Sequence, residues 1–176
     1  MYGRYGAKKC VVDGITFDSE LEAQYYTEQI LPKVKAKEIA DLILQPEFVL
    51  IPDFEKNGKM MKGIKYIADF QFYDIKEDKI RVIDVKGMET EEFILRRKIF
   101  DFRYSRTDLE VVTYAKYCGW VTTDRLKELV RIRKLYNGYV KDLKAGKPLS
   151  KLKLTNMKKI EQNYAPYIKK YEGGAD

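Results

Sequence analysis

Apolar and polar positions alternate along the chain in two different rhythms. Val11 to Phe17 is a short apolar run broken by Asp13-Gly14, a turn dipeptide, which predicts a small hairpin. Asp18 or Ser19 can cap a helix, and Glu22 stands three residues after Ser19 in capping-box spacing. That helix is expected to run to about Leu31, ahead of Pro32, with Leu21 and Tyr25 facing inward. Lys33–Asp41 reads as a further helical turn or a loop. Residues 42–52 read as a strand started or interrupted by Pro46, and 53–63, polar and containing Asn57-Gly58, as a loop. Two apolar strands follow at about 64–74 and 80–86, joined through Ile75–Lys79 as a hairpin.

Helical spacing returns over Glu91–Tyr104, where Phe93, Ile94, Ile99, Phe100 and Phe102 are apolar. Leu109–Tyr114 reads as another strand. Thr122 or Thr123 then caps a helix from Asp124 to about Leu143. Gly146-Lys147-Pro148 breaks the chain, and a last helical segment at about 155–171 is interrupted by Pro166. The order of elements predicts an α/β core with a central mixed β-sheet flanked by helices, followed by a helical C-terminal extension.

Candidate chemistry lies inside the apolar strands. In Ile80–Gly87, Asp84 and Lys86 are two residues apart, so a strand puts both on one face. Burying such groups is costly unless they are compensated. One reading is an edge strand whose polar face meets water. A second acid, Asp69, shifts the balance, because it too lies among apolar neighbours, Tyr66-Ile67-Ala68 and Phe70-Gln71-Phe72. The hairpin brings Asp69 and Asp84 together at one end of adjacent strands. Two converging carboxylates and a lysine suit a hard divalent cation such as Mg²⁺, which takes one or two carboxylates plus water and phosphate oxygens. Lys86 can neutralise a phosphate oxygen or position an attacking water. Gly87 permits a sharp turn or a close approach of backbone.

Composition narrows the chemistry. The 176 residues contain no histidine, which excludes Ser-His-Asp triads, Cys-His pairs and His-ligated zinc. Proton transfer would fall to carboxylates, Lys, Tyr or metal-bound water. Cys10 and Cys118 form no metal-type spacing and read as reduced thiols. No run approaches the roughly 20 apolar residues of a membrane span. Residues 1–6 lack an apolar signal core, so a cytoplasmic location is expected. The net charge of +7 is uneven: residues 1–120 hold 20 Lys and Arg against 21 acids, whereas residues 121–176 hold 14 against 6. A polyanion partner is one reading of that asymmetry and a solvated helical face the other.

Phe17-x-Ser19-x-Leu21-Glu22 on a first helix, Tyr66-x-Ala68-Asp69-Phe70 on a strand and Asp84-Val85-Lys86-Gly87 on the next resemble the PD-(D/E)xK nuclease superfamily. Within it, the pattern is most similar to the phage endonuclease I family of Holliday junction resolvases. Ala68 stands where many members have Pro. The resemblance covers roughly residues 8–115. It implies a restriction-endonuclease-like core over residues 1–120, with 121–176 as a basic helical extension. It also implies Mg²⁺-dependent cleavage of branched DNA by a homodimer, with Mn²⁺ able to substitute, in the cytoplasm of a bacterial host. Asp69 and Asp84 would hold the metal, and Lys86 would act on the water or scissile phosphate. Glu22 would reach in from the helix as a further metal or metal-water ligand, although from its own stretch alone the capping-box reading wins. Glu20 is its neighbour and the weaker candidate, and Gln45 a possible support behind these groups. Arg4, Lys8, Lys9, Arg96 and Arg97 are candidate DNA contacts in the core, as are Arg131, Arg133, Lys134, Lys158 and Lys159 in the extension. In the extension the alternative is a dimer interface built from Leu126, Leu129, Val130, Ile132 and Tyr136. The remaining readings are a sequence-specific or nicking endonuclease, or a non-catalytic DNA-binding or inhibitory protein on the same core.

Overall fold

The structure, a computed structural model, describes residues 9–169. The first hairpin forms as expected from β1 (Cys10–Val12) and β2 (Ile15–Phe17), with Asp13 and Gly14 both at positive φ. Ser19 caps α1 (Glu20–Tyr25). The helix does not stop before Pro32. It passes through a π turn (Tyr26–Ile30) into α2 (Leu31–Lys35), where Pro32 occupies the first turn. A first-turn position needs no backbone N–H, so the wider turn lets the chain remain helical through a proline.

Strand β3 (Ile39–Leu44) and strand β4 (Glu47–Ile51) are separated by Gln45, at φ 50°, and Pro46. The segment expected to be a polar loop is a second hairpin, β5 (Phe54–Lys56) and β6 (Lys59–Met61), turning on Asn57-Gly58. Both turn residues hold positive φ, as the tight turn requires, so local turn chemistry outweighs the segment's polarity. The strand expected over 64–74 is two strands, β7 (Ile64–Ile67) and β8 (Phe70–Asp74), broken at Ala68-Asp69. β7 pairs with β4, whereas β8 pairs with β3 and with β9 (Lys79–Val85). Both chains therefore change sheets at the same level. Backbone bonds across this corner (Gln45 N–H to Asp69 O, Ala68 N–H to Pro46 O, Asp69 N–H to Ile83 O) satisfy the groups that leave the ladder.

Helix α3 (Glu91–Arg103), capped by Thr90, connects β9 to the parallel strand β10 (Leu109–Ala115). With β11 (Gly119–Thr122) these form a five-stranded mixed sheet in the order β11-β10-β9-β8-β3. The protein is thus α/β with a mixed sheet and helices. The four-residue β11 was not legible as a strand in the sequence.

The chain forms two compact units, one ending at Val112 and one starting at Thr113. In the first, Val82, Tyr66 and Ala68 pack with Phe93 and Phe100 of α3 on one face of the sheet. On the other face Phe17, Tyr25 and Tyr26 surround Phe70, with ring centroids 5.7 to 6.4 Å from it. Burial on both faces explains why Val82 and Ile83 are both apolar. Fully burying a side chain such as Phe70 contributes about 1.5–3 kcal/mol. Of the apolar residues in the helical pattern of α3, Phe102 is 89 % exposed and Ile94 is also exposed. Only Phe93 and Phe100, two turns apart, are fully buried there.

In the second unit, α4 (Thr123–Lys144, capped by Thr122) and α5 (Lys151–Lys169) pack around Tyr139, Ile160 and Ile168. Ile132 and Tyr136, candidates for a dimer interface, are half-buried and pack against this cluster. Helix α5 continues through Pro166, because the carbonyl that loses its partner, on Gln162, belongs to an exposed residue.

Candidate functional site

The corner at Ala68-Asp69 places one acid beside another. Phe70 pairs with Ile83, so the preceding Asp69 stands across from Asp84. The Val85 N–H donates to Asp69 Oδ2 at 2.6 Å and fixes that carboxylate. Asp84 shares its face of β9 with Val82 and is only 1 % exposed. Lys86 Nζ lies 2.9 Å from Asp84 Oδ2, so the two-residue spacing does put both on one face. Lys86 also sits over the Phe93 ring, 5.6 Å from its centroid. Neither Asp84 oxygen receives a hydrogen bond of regular geometry among the described residues.

These acids are under electrostatic load. Burial, then the Asp84 charge, then that of Glu22 push the Asp69 carboxyl up to about 8, against the Val85 hydrogen bond and Lys86. Burial also raises Asp84, with Lys86 and the Tyr66 hydroxyl opposing it. Burial disfavours the Lys86 ammonium, but Asp84, Asp69 and Glu22 outweigh it and hold Lys86 charged. Near neutrality the Asp69 carboxyl therefore keeps its proton unless a cation takes the proton's place. Among the described residues no three carboxylates, thiols or imidazoles form a cluster able to hold an ion alone. Two carboxylates suffice for Mg²⁺ when water and a phosphate fill the other positions. The buried oxygens of Asp84, one of them beside the Lys86 ammonium, fit that donor set.

Glu22 fills its capping role, and among the described residues Glu22, Asp69 and Asp84 do not come together as a three-acid cluster. The Ser19 hydroxyl donates to Oε1 at 2.8 Å, the Asp18 N–H donates to Oε2 at 3.2 Å, and Ser19 Oγ accepts from the Glu22 N–H. This is the reciprocal capping box. The same carboxylate reaches Asp69 and Lys86 through its charge. Glu20 is exposed on the helix surface, whereas Glu22 is half-buried. If the reading proposed below holds, Glu22→Gln should reduce cleavage roughly 10–100-fold, as loss of an outer partner of a metal site does. Glu20→Gln should remain close to wild type. Single-turnover rates of the two variants test this, and the reverse ranking would displace Glu22 from the site.

The Asp84–Lys86 face opens into a groove of about 320 Å³, lined also by Lys65, Tyr66, Thr90, Phe93 and Arg96. Tyr66 was missed in the sequence reading. It is 4 % exposed and its hydroxyl faces Asp84. Burial first, then the Asp84 charge, raises its pKa far enough that it is always a neutral phenol. A buried tyrosine needs a partner for its hydroxyl, and an acid three residues along was the available signal. A Cβ at Gly87 would meet no protein atom, so packing does not demand glycine there. A larger cleft of about 520 Å³ lies at the opposite end of β9, around Arg81. There Arg81 pairs with Glu110 and with Asp74, and Lys33, Glu38, Lys76, Glu77, Lys79 and Asp108 also line the cleft.

The other predicted residues are scattered. Arg96 lines the groove, paired with Glu92 at 2.8 Å and reaching the Lys65 carbonyl at 3.5 Å. Arg97 acts on Tyr66 through its charge. Gln45 supports the site through its backbone N–H on the Asp69 carbonyl, while its side chain donates to Asp18. Lys9 is paired with Asp18 at 3.1 Å. Arg4 and Lys8 lie outside the described residues. Arg131, Lys134, Lys158 and Lys159 are exposed on the helix pair, and Arg133 stacks over Tyr117 at 5.1 Å.

The fold and this groove define an α/β protein with an acid-lysine site at a sheet corner. The chain belongs to the family described as protein of unknown function (DUF1064), whose model matches residues 2–119. No curated protein and no solved structure matches it.

Proposed function

We propose that this protein is a metal-dependent DNA endonuclease that hydrolyses phosphodiester bonds, acting on branched DNA such as a four-way junction. The observation that carries the reading is Asp84: a buried carboxylate that among the described residues lacks hydrogen bonds of regular geometry, faces a second raised acid, Asp69, and pairs with Lys86 in the groove. Such a group costs stability unless it has a task. The similarity of the Glu22, Asp69 and Asp84-x-Lys86 pattern to PD-(D/E)xK nucleases, here on helix and adjacent strands, supports the same reading.

Asp69 and Asp84 would hold Mg²⁺, with Mn²⁺ able to replace it. The ion supplies Lewis acidity toward the phosphate and lowers the pKa of a water. Lys86 places its ammonium where charge develops on the phosphate oxygens and keeps that charge because three acids surround it. Glu22 adds negative potential from a fixed helix terminus and orients water at the acid pair. Tyr66 remains a neutral donor beside Asp84. Arg96 and Lys65 line the groove as cations for flanking phosphates. Symmetric cuts at a junction require two such sites, so the working unit is a homodimer.

The deciding experiment incubates purified protein with a labelled four-way junction and a matched linear duplex, in Mg²⁺ or EDTA. Junction cleavage in Mg²⁺ alone is expected. Equal cleavage of both substrates would leave the nuclease but remove the branch preference. Binding with no cleavage in Mg²⁺ or Mn²⁺ would make the protein a DNA binder.

A further inference from the structure

Among the described residues, the hairpin of β5 and β6 joins neither core cluster described above. All of its residues are exposed, and Phe54, Met60 and Met61 carry apolar side chains into solvent. Its base is rigid. Gly63 passes so close to the Ile51 backbone that a Cβ would lie 2.0 Å from the Ile51 carbonyl oxygen. The Gly63 N–H donates to Asp53 Oδ1 at 2.7 Å. The hairpin is therefore a firmly rooted ribbon with an unpartnered surface. It grows from the outer end of β4 and β7, and β7 carries Lys65 and Tyr66 into the groove of Asp84 and Lys86.

Register sorts the ribbon into two unlike faces. Phe54 pairs with Met61 and Lys56 with Lys59, so these four side chains share one face. Glu55 pairs with Met60 and both lie on the other. Between Phe54 and Lys65 the chain carries four lysines and one acid, and that acid is on the opposite face. Paired lysines directly across a ladder repel each other, so the arrangement is unfavourable for the isolated ribbon. A polyanion relieves it.

We propose that this ribbon is a DNA-gripping arm that enters a groove of the duplex beside the cleaved strand. Lys56 and Lys59 lie on phosphates, and Phe54 and Met61 face the bases. The major groove, about 12 Å wide, admits a two-stranded ribbon. Phosphate contacts set the register of the duplex, and apolar side chains touch thymine methyls. The inference rests on the nuclease reading for the phrase "beside the cleaved strand", but the grip itself does not need cleavage.

The test measures fluorescence anisotropy of a labelled four-way junction and a linear duplex with the full chain, in Ca²⁺, across a NaCl series. Lys56→Gln/Lys59→Gln should lower the log–log salt slope by about two. Phe54→Ser/Met61→Ser should weaken binding while leaving that slope unchanged. Glu55→Gln/Met60→Ser, on the other face, should leave both affinity and slope unaltered apart from the small gain from losing one acid. Exposure of all six positions makes unfolding an unsuitable explanation, and circular dichroism checks it. Wild-type slope and affinity in the double lysine variant would overturn the arm. So would a fall in mass by light scattering with DNA binding intact, which would give the ribbon to a second copy of the chain. A protein that binds through the ribbon but never cuts in Mg²⁺ would overturn the nuclease reading and leave the arm standing.

Discussion

Asp84→Asn should reduce DNA cleavage by roughly 10³-fold or more while leaving the protein folded and able to bind. The substitution changes one atom and almost no volume. It removes the charge from the most buried acid of the groove, whose polar neighbours are the Lys86 ammonium at 2.9 Å and the Tyr66 hydroxyl. Burial raises the Asp84 pKa in spite of Lys86, so the ionised carboxylate is a burden on the folded state rather than a support. The amide should therefore not cost stability through Asp84 itself, although Lys86 loses its nearest partner. Asp69→Asn should behave similarly in cleavage. Rates under single-turnover conditions, with binding measured separately in Ca²⁺, separate chemistry from affinity. A variant that cuts within a few-fold of wild type would remove Asp84 from the site.

Removing divalent metal should abolish cleavage and, at alkaline pH, also lower thermal stability. In the unfolded chain Asp69 titrates near its ordinary value of 3.8; in the folded protein it is pushed up to about 8, chiefly by burial. Between those values the folded state holds a proton that the unfolded state has released. Stability must then fall as pH rises from about 4 to about 8, when no cation takes the proton's place. In EDTA the Tm should decline from pH 5 to pH 8. Mg²⁺ should recover much of the loss at pH 8 and little at pH 5, because the ion and the proton compete for the same acids. Asp69→Asn should flatten the decline and blunt the response to Mg²⁺. Scanning calorimetry of both proteins in EDTA and Mg²⁺ measures this without reference to activity. Identical Tm values with and without metal at pH 8, together with full cleavage in EDTA, would contradict the metal site.

Local physics made much of this protein legible in its sequence. Asp13-Gly14 marks a hairpin because both residues must hold positive φ. Ser19 and Glu22 mark a helix start because their side chains complete each other's backbone bonds. Asp84 and Lys86 share a face because strand side chains repeat every second residue. The pairing of Asp69 with Asp84 followed from a short hairpin between their strands.

Other features depended on partners far away in the chain. Strand breaks at Gln45-Pro46 and Ala68-Asp69 look unrelated in sequence. They form one corner, because two chains must exchange sheets together to keep their backbone groups paired. Whether Glu22 would only cap its helix or also face the acids depended on Tyr25 and Tyr26 packing at Phe70. Tyr66 became part of the groove only when α3 closed over the sheet. The apolar residues of α4 have two partners open to them in sequence, a second copy or the chain's own helix, and Ile132 and Tyr136, half-buried, pack against the cluster that α4 forms with α5. Sequence thus determined which side chains lie together on one element, since that depends on a local period. Only tertiary structure decided which elements meet, since that depends on burying surfaces whose partners lie dozens of residues apart.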